Sequence, residues 1–228
     1  MLIASTSLQA APIAGTSSGV FVHPTGPSGM VTSGVGTSNF SWGIGADSAP
    51  SSLSFAGNAF NTLTEQVFSF GTLSYFNGAT YAGTEAESVD LNVTASFTSP
   101  LGVTGSFLYD LGLINTLNVS DPNASADIIQ FQTAFPSSTF TSGGINYTLE
   151  FLGFGHISGS GFSTVNQFHV LEGERASAEL MGRVTQNIPA VPEPETYAML
   201  LVGLGLFGFQ LRRRKGTRFG FDAWYGLS

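Results

Sequence analysis

The segment SVDLNVTASF, residues 88–97, alternates apolar and polar side chains with a period of two. Its apolar members all fall at odd-numbered positions: Val89, Leu91, Val93, Ala95 and Phe97. Because successive side chains of a strand point to opposite faces of a sheet, this pattern predicts a strand with one buried face and one solvated face. Antiparallel sheets accommodate such strands, since they can leave one face in water.

Similar short segments recur between residues 17 and 185. Phe68 and Phe70 alternate in one of them, and sequences such as Asn77-Gly78 have the chemistry of turns between strands. The chain is rich in glycine and phenylalanine, and only 10% of its residues are charged. We therefore predict an all-β fold, an antiparallel β-sandwich that is jelly-roll-like, followed by one short C-terminal hydrophobic helix.

The composition also suggests where the chain divides. The N-terminus resembles the end of a secretory signal, although a flexible arm explains it too. Near the other end, NIPAVPEPE is a proline-rich spacer with an extended backbone. The predicted segments are a signal remnant or arm (1–16), a β-sandwich domain (17–186), a linker (187–196), a transmembrane helix with a basic cluster (197–215) and an unexplained tail (216–228).

Charge and cysteine content exclude several classes of function. The net charge is −8, and five of the seven Lys and Arg residues lie at or beyond Arg212. A body with so few cations cannot neutralise phosphates, which excludes nucleic acid as a partner. The chain has no cysteine, so disulfides, thiolate metal sites and cysteine nucleophiles are excluded as well.

The C-terminal region combines a proline–glutamate element, an uncharged run over 197–211 and four consecutive cations. As a helix the run would rise about 22 Å, which is short against a hydrocarbon core of about 30 Å. Cations that snorkel at one end and Tyr197 at the other could extend its reach. The cations would stay on the cytoplasmic side, so the β-domain would face outward. A buried helix of the domain is the alternative.

This arrangement resembles the PEP-CTERM sorting signal of exported bacterial proteins. The recognition element corresponds to Pro192, Glu193 and Pro194. The basic cluster corresponds to Arg212, Arg213, Arg214 and Lys215. The resemblance implies an exosortase-type processing enzyme as a partner and a membrane contact through the helix. It also implies tethering at the inner membrane before processing, and then a place at the cell surface or outside the cell.

The body resembles a second family, the choice-of-anchor K domain of bacterial surface proteins. The segments that carry this resemblance include SGVFVHPTGPSG, FSFGTLSYFNG and SVDLNVTASFTSP. It would cover residues 17 to about 185. The family supplies no catalytic residue, so the resemblance bears on location.

Acidic and amide side chains offer a candidate calcium site. Asp121, Asn123 and Asp127 alternate like the start of an oxygen-rich calcium loop. The glycine and the bidentate glutamate of an EF-hand loop are missing, which excludes that motif. A looser site could recruit acids from GTEAESVD, namely Glu85, Glu87 and Asp90. The alternative is ordinary turn chemistry on a solvated loop.

Two further patterns bear on carbohydrate. Tyr75 and Phe76, beside the predicted turn, are the candidates for an exposed glycan contact, whereas Trp42 is expected in the core. Glu172 and Glu174 alternate, and such a pair could flank a glycosidic bond if both lie on one strand face. The chain shows no other catalytic motif, so no catalytic residue is predicted.

These observations predict an exported, non-enzymatic structural or adhesive domain associated with an exopolysaccharide matrix. No cofactor is required, although calcium could take part. The first alternative is a calcium-assisted carbohydrate-binding module. The second is a hydrolase of extracellular polysaccharide that would depend on Glu172.

Overall fold

The structure is a computed structural model that describes residues 10–46, 49–99, 103–117, 119–133, 135, 137–187 and 194–215. The chain divides into two compact units, Met1–Asn187 and Ile188–Ser228. The predicted tail over 216–228, most of the predicted linker and the first nine residues lie outside the described residues.

In the described part of the chain, 14 strands form two seven-stranded antiparallel sheets. The strands are β1 Pro12–Thr25, β2 Thr32–Ser33, β3 Asn39–Trp42, β4 Ser51–Gly57, β5 Ala59–Leu63, β6 Val67–Phe76, β7 Ser88–Ser99, β8 Val103–Ile114, β9 Asp127–Phe131, β10 Ser137–Ser142, β11 Ile145–Gly159, β12 Gly161–Ser163, β13 Gln167–Val170 and β14 Arg175–Asn187. Sheet A has the order β12-β13-β9-β8-β7-β1-β5, and sheet B has the order β10-β11-β14-β6-β4-β3-β2.

The period-two pattern that predicted β7 is confirmed by its burial. The side chains from Val89 to Phe97 at odd positions are at most 4% exposed, while their neighbours face outward. The same alternation on β3 and β4 buries Phe40, Trp42 and Leu53. Apolar side chains from both sheets form one core, so the predicted antiparallel β-sandwich is confirmed.

Strand β6 contains a bulge that reverses its alternation. Met181 of β14 pairs with Ser69 and Leu180 pairs with Gly71, so Phe70 is an extra residue between two pairings. Phe70 therefore faces the core, and so does every second residue from Gly71 onward. A Cβ on Gly71 would lie 2.5 Å from a backbone oxygen, so the close approach at the bulge needs glycine.

The β-sandwich begins earlier than the sequence suggested. Strand β1 starts at Pro12, and Ile13 is fully buried. Residues 12 to 16 pair with β5, and residues from Ala14 onward pair with β7. Residues 12 to 16 of the predicted N-terminal arm are therefore strand, because their small and apolar side chains fit between two neighbouring strands.

The part of the second unit that the structure describes is the helix α1 Pro194–Lys215. Its apolar side chains between Met199 and Phe209 are 58% to 72% exposed. Judged on the described residues, the chain has no helix that is both long and apolar enough to span a membrane. The prediction of a transmembrane helix over 197–215 is corrected on this point, since its uncharged run covers only about 22 Å.

Candidate functional site

The outer face of sheet B carries two rows of side chains in register across neighbouring strands. One row joins Ser54 of β4, Ser74 of β6, Ser177 of β14 and Ser158 of β11. The other row joins Ser52 of β4, Phe76 of β6 and Arg175 of β14. Neighbouring strands lie about 4.8 Å apart, so each row presents closely spaced groups to the outside.

These rows line a groove of about 300 Å³, here called the serine groove. Its lining residues are Ser52, Ser54, Ser74, Tyr75, Phe76, Ser158, Gly159, Arg175, Ala176 and Ser177. Within the described part of the chain, none of the five serine hydroxyls has a hydrogen-bonding partner. Each hydroxyl can donate one hydrogen bond and accept two, so the groove offers a dense polar surface to a ligand.

Arg175 supplies the charge of the serine groove. Its guanidinium lies 4.2 Å from the centre of the Phe76 ring, a cation–π arrangement that holds the side chain across the sheet. Arg175 and Arg183 are the two cations that precede the C-terminal helix. Arg183 pairs with Glu150 at 2.8 Å, whereas Arg175 forms no ion pair with any described residue.

On the inner side of the same strands lies a buried polar cluster. Ser51, 2% exposed, donates a hydrogen bond to the Gly78 carbonyl and accepts one from the Gly78 N–H. Asn77 is fully buried, and its amide donates to the Val170 carbonyl at 3.0 Å. These bonds hold the chain after β6 against sheet A, so Asn77-Gly78 is a buried anchor and not an exposed hairpin turn.

Asp127 and Tyr75 are the ionisable members of this cluster. Asp127 is 6% exposed and accepts hydrogen bonds from the backbone N–H and the hydroxyl of Thr116. The pKa of its carboxyl is raised from 3.8 to about 6, mainly by burial and to a smaller extent by the nearby charge of Glu172. Burial also raises the pKa of the Tyr75 hydroxyl well above its usual value, with smaller contributions from Asp127 and Glu172.

The two residues predicted as a glycan contact lie on opposite sides of sheet B. Tyr75 is 3% exposed and stacks on Trp42, with ring centroids 5.6 Å apart. The prediction that Tyr75 is exposed is therefore wrong, because the bulge at Phe70 turns its side chain into the core. Phe76 faces outward and is half-buried in the serine groove.

The first three residues of the predicted calcium site have separate environments. Asp121 and Asn123 are exposed on a loop, where the Asp121 carboxylate accepts a hydrogen bond from the Asn123 N–H at 3.0 Å. That contact is the turn chemistry which the sequence left as the alternative. Asp127 is instead buried in the inner cluster and bound to Thr116.

The other three acids have local contacts of their own. Glu85 accepts a hydrogen bond from the Gly83 N–H at 2.7 Å, and Asp90 lies 3.0 Å from the His23 imidazole. Glu87 is exposed. Among the described residues, no group of three or more His, Asp or Glu side chains is placed to hold a metal ion. The six predicted ligands are thus not brought together.

The carboxylate pair considered for hydrolysis does not lie on a strand. Glu172 and Glu174 belong to the turn between β13 and β14. Glu174 is exposed and accepts a hydrogen bond from the Ser160 hydroxyl, whereas Glu172 acts electrostatically on the inner cluster. The strand alternation on which that alternative rested is therefore absent from the turn.

The predicted sorting residues are only partly described. Pro192 and Glu193 lie outside the described residues, and Pro194 is the first residue of α1. Arg212 is exposed near the end of α1, and Arg213, Arg214 and Lys215 complete the helix. The basic cluster thus continues the apolar run as one helix.

The geometry defines an antiparallel β-sandwich with a polar groove on one sheet, and the second unit of the chain contributes the apolar helix α1. Residues 190–215 match the family model of the PEP-CTERM protein-sorting motif. The match supports an exported protein that an exosortase-type enzyme sorts and processes, with transient anchoring at the membrane before processing. A search of curated proteins found no match to the chain. The resemblance of the body to the choice-of-anchor K domain has no support in these comparisons.

The serine groove has no signature that is local in the sequence. Its residues come from four strands and extend from Ser52 to Ser177 in the sequence, and serine is common throughout the chain. Arg175 was the one available signal, because it is one of only two cations in the body. A rare cation on the outer face of a strand would have indicated a site. It would not have identified the serines that surround it in space.

Proposed function

We propose that the protein is an exported, non-enzymatic surface module that binds extracellular polysaccharide and thereby joins a cell to its matrix. The serine groove carries this proposal. Five serine hydroxyls that have no hydrogen-bonding partner among the described residues, one phenylalanine ring and one guanidinium form a concave surface on the outer face of sheet B. Hydroxyl-rich ligands such as sugars are bound by groups that both donate and accept hydrogen bonds.

The chemistry of the groove favours binding over hydrolysis. Glycoside hydrolysis uses two carboxyl groups on either side of the scissile bond. None of the ten lining residues has a carboxyl, imidazole or thiol group. The pair Glu172 and Glu174 lies in a turn outside the lining of the groove. A non-enzymatic role is therefore the simplest function for this surface.

Affinity electrophoresis tests the proposal with the purified full chain. Native gels would contain dextran, hydroxyethylcellulose, polygalacturonate or alginate. We expect at least one polymer to retard the protein and no release of reducing sugar from any of them. Ser74→Val removes a groove hydroxyl and should weaken the retardation. Ser96→Val changes an exposed serine on β7 of sheet A and serves as the matched control. If the protein migrates in all four gels as it does in a gel without polymer, the proposal is contradicted.

The sorting segment is tested separately in cells that contain an exosortase. Replacing Pro192, Glu193 and Pro194 together by alanine should prevent processing, so the protein should stay at its full mass on an immunoblot. Pro189→Ala is the matched control, because it removes a nearby proline that lies outside the matched segment. Processing that continues in the triple variant would separate this protein from exosortase-dependent sorting.

A further inference from the structure

The serine groove has one charged group, and that group is positive. Arg175 lies in the row of Ser52 and Phe76, lines the groove and is an exposed residue. Contact with the Phe76 ring restricts the side chain, so less rotamer freedom remains to be lost when a ligand binds. A guanidinium matches a carboxylate in geometry, because two parallel N–H groups can donate to its two oxygens.

Phe76 and the serines supply the remaining surface for a sugar. The row of Ser54, Ser74 and Ser177 runs beside the Arg175 row and is separated from it by two residues along each strand. Side chains at this separation along a strand are about 7 Å apart. A pyranose ring that places a carboxylate on Arg175 can therefore reach the serine row with its hydroxyl groups.

We infer that the serine groove binds an acidic sugar, a uronic acid residue of an extracellular polysaccharide, whose carboxylate is received by Arg175. The inference rests on the proposed function, which requires only that the protein binds polysaccharide. It adds the charge of the ligand and the residue that recognises it. Charge complementarity at one point then separates acidic chains from neutral chains of the same shape.

The acids around the groove do not neutralise Arg175. Glu179 lies on the outer face of β14, two residues beyond Ser177 of the serine row, and pairs with His156 at 2.9 Å. Glu174 precedes Arg175 in the chain and accepts a hydrogen bond from Ser160. The net charge of −8 still repels an anionic polymer at long range. That repulsion is screened at about 0.15 M salt, where the Debye length is about 8 Å, whereas direct contact with Arg175 is screened much less.

Isothermal titration calorimetry at 0.15 M salt tests the inference on the full chain. The probes are trigalacturonic acid and its methyl ester, which have the same ring structure and differ in charge. We expect the acid to bind at least ten-fold more tightly than the ester. Arg175→Gln should reduce this ratio to less than two-fold. Arg183→Gln removes the same charge outside the groove and should keep the ratio.

Two serine variants separate charge recognition from general contact. Ser74→Val should weaken both probes by a similar factor, because it removes a hydroxyl and leaves Arg175 in place. Ser96→Val on sheet A should change neither. Circular dichroism of every variant would establish that the fold is retained, so a loss of binding can be assigned to the groove.

The outcomes distinguish this inference from the proposed function. Equal binding of acid and ester, or an unchanged ratio in Arg175→Gln, overturns the inference and leaves polysaccharide binding intact. If a neutral polymer retards the protein in the gels and trigalacturonic acid does not bind, the inference is likewise overturned and polysaccharide binding stands. Failure of every polymer and both probes overturns the proposed function and the inference together.

Discussion

Residues 75 and 76 are neighbours on β6, yet they belong to two different polar regions. Tyr75 lies in the inner cluster, 3% exposed, with Asp127 and Asn77 close by. Phe76 lies in the outer groove under Arg175. In the inner cluster each polar group is held by the protein, whereas the serines of the groove have no partners in the described chain. Polar groups whose hydrogen bonds are already made stabilise the fold, while open ones are available to a ligand.

The bulge at Phe70 decides which region each residue joins. Without it, Tyr75 would face outward and Phe76 would face the core, because side chains alternate strictly along a regular strand. One extra residue reverses that order for the second half of β6. Variants at the bulge therefore test how the two regions are separated, and variants within one region test that region alone.

The largest effect is expected where the bulge is packed. A Cβ on Gly182 would overlap the Phe70 ring, so Gly182→Val should destabilise the protein by about 3 kcal/mol, the upper end of the usual cost of overpacking. Urea unfolding of the full chain measures this loss. Gly105→Ala is the control, because the nearest atoms to its Cβ lie at 3.3 Å and a small shift accommodates them. A Gly182→Val protein of normal stability would show that the packing around Phe70 is loose.

The inner cluster should make stability depend on pH. The pKa of Asp127 is about 6 when folded and near 3.8 when unfolded, so the folded state binds its proton more tightly. Its contribution is fully present below about pH 4 and is lost as the pH rises through 6. The loss is on the order of 2 to 3 kcal/mol. Asp127→Asn should be more stable than the parent at pH 7. Its stability should also lack the part of the pH dependence that Asp127 contributes.

Urea unfolding from pH 3.5 to pH 7.5 measures the difference between Asp127→Asn and the parent. Because other carboxyls titrate in the same range, only the difference between the two proteins reports Asp127. Asp121→Asn changes an exposed acid on a loop and should follow the parent at every pH. A constant difference between Asp127→Asn and the parent would contradict the raised pKa.

A smaller effect is expected at Ser51. Its hydroxyl makes two hydrogen bonds with Gly78 in the buried cluster. Ser51→Ala should therefore cost about 1 to 2 kcal/mol. Ser52→Ala is the matched control on the next residue, which faces the groove and has no hydrogen-bonding partner in the described chain. Thermal unfolding of both variants would show the contrast, and equal midpoints would argue against it.

The smallest effect on stability is expected at Arg175. Arg175→Gln loses the contact with the Phe76 ring, which at an exposed site is worth about 0.5 to 1 kcal/mol. It should nevertheless have the largest effect on the ratio of acid to ester binding. A midpoint of thermal unfolding within a few degrees of the parent checks the first statement. A large drop in this midpoint would mean that Arg175 mainly stabilises the folded state.

Patterns local in the sequence were sufficient for much of the fold. The alternation of β7 predicts its buried face correctly, because the period of a strand is a property of the backbone. The sorting segment is contiguous in the sequence. It consists of the proline–glutamate element, the apolar run and the basic cluster, and their order identifies the segment that the family model matches. Trp42 was also placed in the core correctly from its position beside Phe40.

What only the tertiary structure decided depends on how strands pair. The bulge arises from the pairing of β6 with β14, which reversed the prediction for Tyr75. The buried position of Asp127 and the partnership of Arg175 with Phe76 also come from segments far apart in the chain. The sequence by itself determined the class of fold and the sorting segment, since both are written in neighbouring residues. The groove and its charge required the register of four strands, because hydroxyls become a binding surface only when separate segments are brought side by side.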